Sequence, residues 1–370
     1  MVAAASIGSG SVSFGIAQCD GQRSVLLASE HRVLPLEDRA PEQAAAALKQ
    51  QLIEAAKKTI TAISTSGRPS AVDALYCIIR SPWTRTQTCR TATVLDAEMR
   101  ITDGLISDLA KQSLSNVKDR ERFFDAAVAQ ISLNGYPTTK PEGKHAHQAA
   151  VTALISSCEP VMRAAALDAL GSVFPSQQVI MRSGTRALLE ALQEARPGIV
   201  DCLILDVTEE GTAAVVVRNG APENELLIPE GVRSILTKAS SGGTPEETRQ
   251  ALRMIARDEC SEATCTAVQA ACAAIEPELA HVFGEHFAKL STPQRLPTTT
   301  LLVAHPDLSP WLSRFFSRID FTQFTLSAQP FEVVPITGEG LGKVTSASDG
   351  DVDIDLSIAL TLINKEAFSV

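Results

Sequence analysis

The stretch Asp201–Leu227, DCLILDVTEEGTAAVVVRNGAPENELL, decides the fold of this chain. Its apolar run Cys202–Leu205 is typical of a strand that is buried on both faces. After a short polar turn, Ala213–Val217 is rich in residues that favour strands and predicts a second one. The dipeptide Asn219-Gly220 favours the positive φ angles of a tight hairpin. The stretch therefore predicts a meander of three strands.

The chain contains a similar stretch at its beginning, Val2–Leu27, VAAASIGSGSVSFGIAQCDGQRSVLL. An apolar run again reaches a small polar turn, continues into a second strand, turns and returns. The separation from Ser6 to Gly21 differs by one residue from that between Asp206 and Gly220. Two such units far apart in the chain predict a duplicated architecture, and two independent hairpins are the alternative.

Three segments carry a resemblance to the actin-like ATPase superfamily. Ser6–Val12, SIGSGSV, resembles its first phosphate loop, and Asp206–Gly220 resembles its second. Leu301–Leu312, LLVAHPDLSPWL, occupies the place of the adenosine motif. The three segments have the order and spacing of the superfamily. Within it, the chain most resembles the branch of the cell-division protein FtsA and the type IV pilus protein PilM.

This resemblance implies an α/β, actin-like (ribonuclease H-like) fold with two duplicated domains and an inserted small α+β subdomain. The first domain is expected over residues 1–198, with the inserted subdomain at about 75–172. The second is expected over 199–355, with a helical insertion at about 244–295. Residues 356–370 are expected to form a closing helix that packs back on the first domain.

The helical insertion raises two questions that the sequence answers. Thr244–Leu290 is too long for one ordinary helix, and Pro277 is the predicted break. The cysteines and histidines that could suggest a metal site lack paired ligand spacing, so we predict no metal ligands and buried, reduced thiols. These residues are Cys260, Cys265, Cys272, His281 and His286, together with His145 and His147 in a predicted strand.

The phosphate loops retain some of the superfamily's residues. The nucleotide-binding candidates, if binding is retained, are Gly8, Ser9, Gly10, Ser11, Asp206, Gly211 and Thr212. However, Ser6 replaces the aspartate of the first loop, and Thr208–Glu210 replaces three glycines of the second. Two carboxylates beside a triphosphate would repel it and block its approach. Ala304-His305-Pro306 replaces the glycine pair of the adenosine motif.

These changes predict a pseudo-ATPase with no catalytic residue and no cofactor. The alternative is a working ATPase with ATP and Mg²⁺ as cofactors, whose polymerisation or partner binding is gated by nucleotide. A sugar or acetate kinase on the same fold would need a catalytic carboxylate, and no residue stands out for that role. An α/β protein unrelated to actin is the remaining possibility.

Composition limits the partners. The formal net charge of −10 argues against nucleic-acid binding, which needs a basic face. No apolar run approaches the roughly 18 residues of a membrane helix, so we expect a cytoplasmic protein at the inner face of the membrane, held there only through partners. The resemblance implies a protein partner, such as the cytoplasmic tail of a membrane protein or a cytoskeletal protein, and self-association. Trp83 is a candidate anchor for a partner peptide, with core packing as the alternative.

Overall fold

The structure is a computed structural model. It describes residues 1–34, 40–68, 71–115, 122–240, 243–257, 259, 262–292, 294–341, 344–347 and 352–368.

Strands and helices alternate along most of the chain. The strands are β1 (Val2–Ile7), β2 (Ser11–Cys19), β3 (Ser24–Val33), β4 (Ala74–Ile79), β5 (Thr84–Arg100), β6 (Phe123–Leu133), β7 (Tyr136–Pro137), β8 (His145–Cys158), β9 (Val179–Ser183), β10 (Cys202–Val207), β11 (Thr212–Arg218), β12 (Ala221–Ile228), β13 (Thr299–Val303), β14 (Glu332–Pro335) and β15 (Val344–Ser346). The helices are α1 (Pro41–Thr65), α2 (Asp103–Ser115), α3 (Pro160–Val173), α4 (Gly184–Ala195), α5 (Val232–Ala239), α6 (Pro245–Ala256), α7 (Glu262–Leu290), α8 (Ser309–Arg318) and α9 (Ile354–Phe368).

Two of the sheets repeat one topology. The first has the order β15–β3–β2–β1–β4–β9, and the second has the order β12–β11–β10–β13–β14. In each, a three-stranded antiparallel meander is followed by two parallel strands, apart from β15, which adds to the edge of the first sheet. We call the units built on these sheets the first half and the second half. The predicted duplication is confirmed.

The two meanders also share their register. In the first hairpin, residue 2 pairs with 17 and residue 7 with 12. In the second, residue 202 pairs with 217 and residue 207 with 212. The pairing with the third strand shifts between residues 16 and 17 in one copy and between 216 and 217 in the other. Ser6 is therefore the structural counterpart of Asp206.

Helices α4 and α9 join the halves through a shared apolar core. Both helices bury alanine and leucine, and α9 also buries isoleucine, in one apolar core with residues of β1 and β4 on one side and of β10, β11 and β13 on the other. Burial of this kind stabilises by roughly 25 cal/mol per Å² of apolar surface. The core places the turns at the ends of β1 and β10 beside each other.

The second half contains an aromatic cluster that determines the course of α7. Phe283 and Phe287 are fully buried against rings from α8 and from the segment that follows it. The helix continues through Pro277, so the predicted break there is wrong. Residues Ile275 and Leu279, on either side of the proline, are buried in the same core, and this packing offsets the lost hydrogen bond. The helical segment divides earlier, between α6 and α7.

The inserted subdomain is a sheet of order β5–β8–β6–β7 with α2 packed on it. It is shorter than the predicted 75–172, because β4 pairs within the sheet of the first half and α3 packs in that half's core. It is fixed to the first half by Asp125, whose carboxylate accepts hydrogen bonds from the Ser183 N–H at 2.9 Å and from Arg186 at 2.7 Å. It also contacts the second half, where Gln130 Nε2 donates to the Asn219 carbonyl at 2.6 Å. The subdomain therefore connects both halves on one side of the molecule.

Candidate functional site

The two predicted phosphate-loop segments form equivalent turns that face each other. The Gly8 N–H donates to the Ser11 carbonyl at 2.9 Å, and the Thr208 N–H donates to the Gly211 carbonyl at 2.8 Å. The turns are joined directly, because the Glu210 N–H donates to Ser9 Oγ at 3.1 Å. The structure thus brings together the loop residues named from the sequence.

The side chain of Glu209 fills the space between the turns. A Cβ atom added to Gly10 would lie 2.7 Å from both Cβ and Oε2 of Glu209, so only glycine fits there. Arg249 Nη2 donates to both oxygens of this carboxylate, at 2.8 and 3.1 Å. Burial raises the pKa of Glu209, and the charge of Arg249 opposes that rise. Glu210 pairs in the same way with Arg233.

These ion pairs change one step of the reasoning from the sequence. The sequence predicts that Glu209 and Glu210 both repel a triphosphate by charge and block its approach. Each carboxylate is instead paired with an arginine, so the obstacle at Glu209 is mainly its volume. The second turn is also packed closely against the backbone of Gly231 behind it, where an added Cβ would lie only 2.4 Å from the Gly211 nitrogen. This packing limits any movement of the turn away from the first one.

Beside the turns, Arg80 lies between two buried aspartates. It follows β4 directly, and its guanidinium donates to Asp206 at the end of β10 and to Asp355 in the first turn of α9. The three side chains are 12%, 7% and 8% exposed, respectively. Burial raises the pKa of Asp355 to about 6, a rise that Arg80 opposes and that the negative charge of Asp206 assists. Gly184 makes room for Arg80, whose Cγ would lie 2.6 Å from an added Cβ.

A serine, a histidine and an aspartate meet next to this group. His31 Nδ1 lies 2.9 Å from Ser13 Oγ and 3.1 Å from Asp353 Oδ2, and the serine hydroxyl also donates to that carboxylate. Both partners contact the same ring nitrogen, so the histidine cannot relay a proton from the serine to the aspartate as it would in a hydrolase. The hydrogen bond to Asp353 raises the pKa of His31. Burial would raise the pKa of Asp353, but the hydrogen bonds from His31 and Ser13 outweigh it and lower that pKa.

The segment in the place of the adenosine motif is also occupied by a charge pair. Arg253 Nε lies 3.1 Å from both oxygens of Asp307, and its Nη2 lies 3.0 Å from Oδ2. The Asp307 N–H donates to His305 Nδ1 at 3.3 Å. Burial lowers the pKa of His305, which favours the neutral ring.

Trp83 lies at the edge of the apolar core and borders a groove. It is half-buried and packs against the apolar core of the first half. It also lines a groove of about 870 Å³ between the inserted subdomain and β12, where Phe123 and Leu226 face it. Glu225 lies in the wall of this groove. Burial raises its pKa to about 7, although hydrogen bonds from Thr185 and Thr86 oppose the rise.

Several residues of the site were not found from the sequence. They are Arg80, Arg249, His31, Asp353 and Asp355. A signal existed for two of them, because DVDID precedes an apolar helix and acidic residues favour a helix N-terminus. The other three are single residues whose partners lie far away in the chain.

No metal-binding group of three or more histidine, cysteine, aspartate or glutamate side chains occurs within the described ranges. Cys260 and the side chain of Cys265 lie outside them. Among the described helices, none is long and apolar enough to cross a membrane.

Comparisons with known proteins place the fold. Scans against protein-family models and curated protein sequences found no match. Among solved structures, a chain of the PilM–PilN type IV pilus biogenesis complex matches with a TM-score of 0.57 and 14% identity, over 98% of each chain. EutJ from Carboxydothermus hydrogenoformans matches with a TM-score of 0.44 and 10% identity, over 98% of this chain and 88% of that one. A Bacteroides thetaiotaomicron protein with an actin-like ATPase fold scores 0.39 at 9% identity, over 97% and 95%.

The last two scores alone would not establish a common fold. The first covers the whole chain, and it agrees with the duplicated sheets, the facing turns and the inserted subdomain. The chain therefore has an actin-like fold, which it shares with a chain of the PilM–PilN complex.

Proposed function

We propose that the protein is a non-catalytic scaffold, PilM-like in type IV pilus assembly, that binds a tail segment of a protein partner at the cytoplasmic face of a membrane. The observation that carries this proposal is the fold match to a chain of the PilM–PilN complex over 98% of both chains. A role in cell division is the other function that the sequence resemblance implied.

The contents of the cleft favour a scaffold over an ATPase. Nucleotide loops of this kind need close approach of backbone N–H groups to phosphates and free carboxylates for hydrated magnesium. Here Glu209 occupies the space next to Gly10, and Asp206 is already neutralised by Arg80. A nucleotide would have to displace both side chains and break their ion pairs before it could bind.

Titration calorimetry with ATP and Mg²⁺ tests the loss of nucleotide chemistry. We expect no heat of binding and no change in melting temperature at millimolar ATP. A ligand present at a hundred times its Kd would stabilise the fold by roughly 2.7 kcal/mol, which a thermal scan detects. Binding with hydrolysis would support the nucleotide-gated ATPase instead and overturn the non-catalytic assignment.

The groove beside Trp83 is the proposed site for the partner. An aromatic residue that is anchored on one face and open to a groove on the other suits an apolar side chain of a peptide. Arg85 and Glu159 also line the groove and offer polar contacts beside this anchor.

The partner site is tested with a synthetic peptide of the cytoplasmic tail of the PilN-type protein from the same organism, by fluorescence anisotropy. Trp83→Ala should weaken binding at least tenfold, because truncation of a central aromatic anchor typically costs 2 kcal/mol or more. Tyr136→Ala is the matched control, since Tyr136 is 77% exposed and lies outside the groove. Equal affinity of both variants would exclude this groove, and absence of binding to the wild type would count against the PilM-like role.

A further inference from the structure

One steric contact and two polar contacts connect the two halves at one place. Glu209 of the second half lies over Gly10 of the first, and the Glu210 N–H donates to Ser9 Oγ at 3.1 Å. Arg80, at the end of β4 in the first half, pairs with Asp206 of the second. All three contacts lie where the ends of β1, β4 and β10 converge.

The charged side chains at this point of the cleft resemble a bound cation and a bound anion. Carboxylates that converge at one point repel each other unless a cation lies between them. Facing turns with free backbone N–H groups attract an anion. In this protein the guanidinium of Arg80 lies between Asp206 and Asp355, where a cation would lie. The carboxylate of Glu209, paired with Arg249, fills the space beside Gly10 that an anion would need.

We propose that these side chains are a built-in substitute for a bound ligand, with Arg80 in the place of a cation and Glu209 in the place of an anion, so that the two halves stay closed without any ligand. This inference deepens the proposed function and rests on it, because it states how a scaffold without nucleotide keeps one conformation. A partner would then meet the same groove beside Trp83 at all times.

Burial and fit distinguish these contacts from ordinary surface ion pairs. Exposed pairs contribute little, because water and salt screen them. The side chains of Glu209 and Arg249 are only 10% and 14% exposed. The fit at Gly10 leaves no space for a methyl group. Opening of the cleft would therefore expose the buried Glu209 and Arg249 side chains to water and would separate Arg80 from Asp206.

Hydrogen exchange of the full chain, read by mass spectrometry, tests this closure. We expect slow exchange at residues 8–11 and 208–211 in the wild type, unchanged by ATP and Mg²⁺. Glu209→Gly removes the side chain between the turns and should raise exchange there at least tenfold, while β5 and β8 stay unchanged. Glu276→Gln is the matched control, because it neutralises a glutamate of the second half that pairs with Arg318 away from the cleft.

Each outcome either supports or overturns the closure. Rapid exchange of both turns in the wild type, or exchange in Glu209→Gly equal to the wild type, would overturn it. If Glu209→Gly raises exchange in all segments, exchange at the two turns is compared between Glu209→Gln and the wild type instead, since this variant keeps the side-chain volume and removes only the charge. Failure of the tail peptide to bind a protein with protected turns would overturn the scaffold role alone. Protection of the turns by ATP would overturn both proposals.

Discussion

Replacement of Arg80 by methionine is the sharpest test of the buried charge group. The variant keeps most of the side-chain volume but leaves Asp206 and Asp355 buried without their common counter-ion. Removal of one partner from a buried pair typically costs about 3–5 kcal/mol. With an unfolding entropy of about 2.1 cal/mol/K per residue, that loss lowers the melting temperature of a 370-residue chain by about 4–6 °C.

The loss should also depend on pH. Asp355 has a pKa of about 6 with Arg80 present, and it should be higher without that positive charge. As the pH rises from 5 to 8, Asp355 of the variant ionises beside Asp206 without its counter-ion, whereas at pH 5 Asp355 is protonated and the repulsion is relieved. We therefore expect the difference in stability between the variant and the wild type to be larger at pH 8 than at pH 5.

Thermal and urea unfolding at both pH values measure this difference. Arg80→Met/Asp206→Asn should lose less stability than the sum of the single variants, because the two residues are in contact. A loss of unfolding free energy below about 1 kcal/mol in Arg80→Met would be no larger than that expected for a solvent-exposed ion pair. Such a result, or a loss that does not change with pH, would refute the role of Arg80 as the counter-ion of this group.

Two further predictions concern Glu225 and Pro277. The native pKa of Glu225 is raised from its ordinary 4.5 to about 7, so the wild type loses stability as the pH rises through this window. Glu225→Gln should remove this pH dependence and be more stable than the wild type at pH 8 by of order 2–3 kcal/mol, measured by urea unfolding. Parallel stability profiles of the two proteins against pH would contradict this prediction. Pro277→Ala should raise the melting temperature, because α7 is continuous and alanine restores the missing N–H; a lower melting temperature would indicate that the helix needs the proline.

The parts of the fold that repeat could be predicted from the sequence. The apolar run before Asp206 and the Asn219-Gly220 turn fix a hairpin through local rules, and the same rules apply to its N-terminal copy. The course of α7 could not be read in this way. Pro277 lowers the intrinsic helix propensity, while the packing of Phe283 and Phe287 that outweighs it depends on residues far along the chain.

The sequence predicted the turns of the site but not the arginines that pair with its carboxylates. Gly8–Ser11 and Asp206–Thr212 are contiguous motifs, and their resemblance to the two phosphate loops of the actin-like superfamily implied that they lie together. Arg249 lies 40 residues after Glu209, and Asp206 lies 126 residues after Arg80, so no local sequence pattern links the members of either pair. Pairing of such residues is a property of the tertiary fold alone.

The duplicated fold has two positions equivalent to the Arg80–Asp206 ion pair, and the pair forms at one of them. By the shared register, the counterpart of Asp206 is Ser6, and the counterpart of Arg80, one residue past β4, is His305, past β13. The symmetric partner of the Arg80–Asp206 pair would therefore join His305 to Ser6. Burial keeps His305 neutral, and the serine carries no charge, so this second pair cannot form. The repeat supplies two equivalent positions, and the side chains at one of them alone provide the opposite charges that bind the halves together.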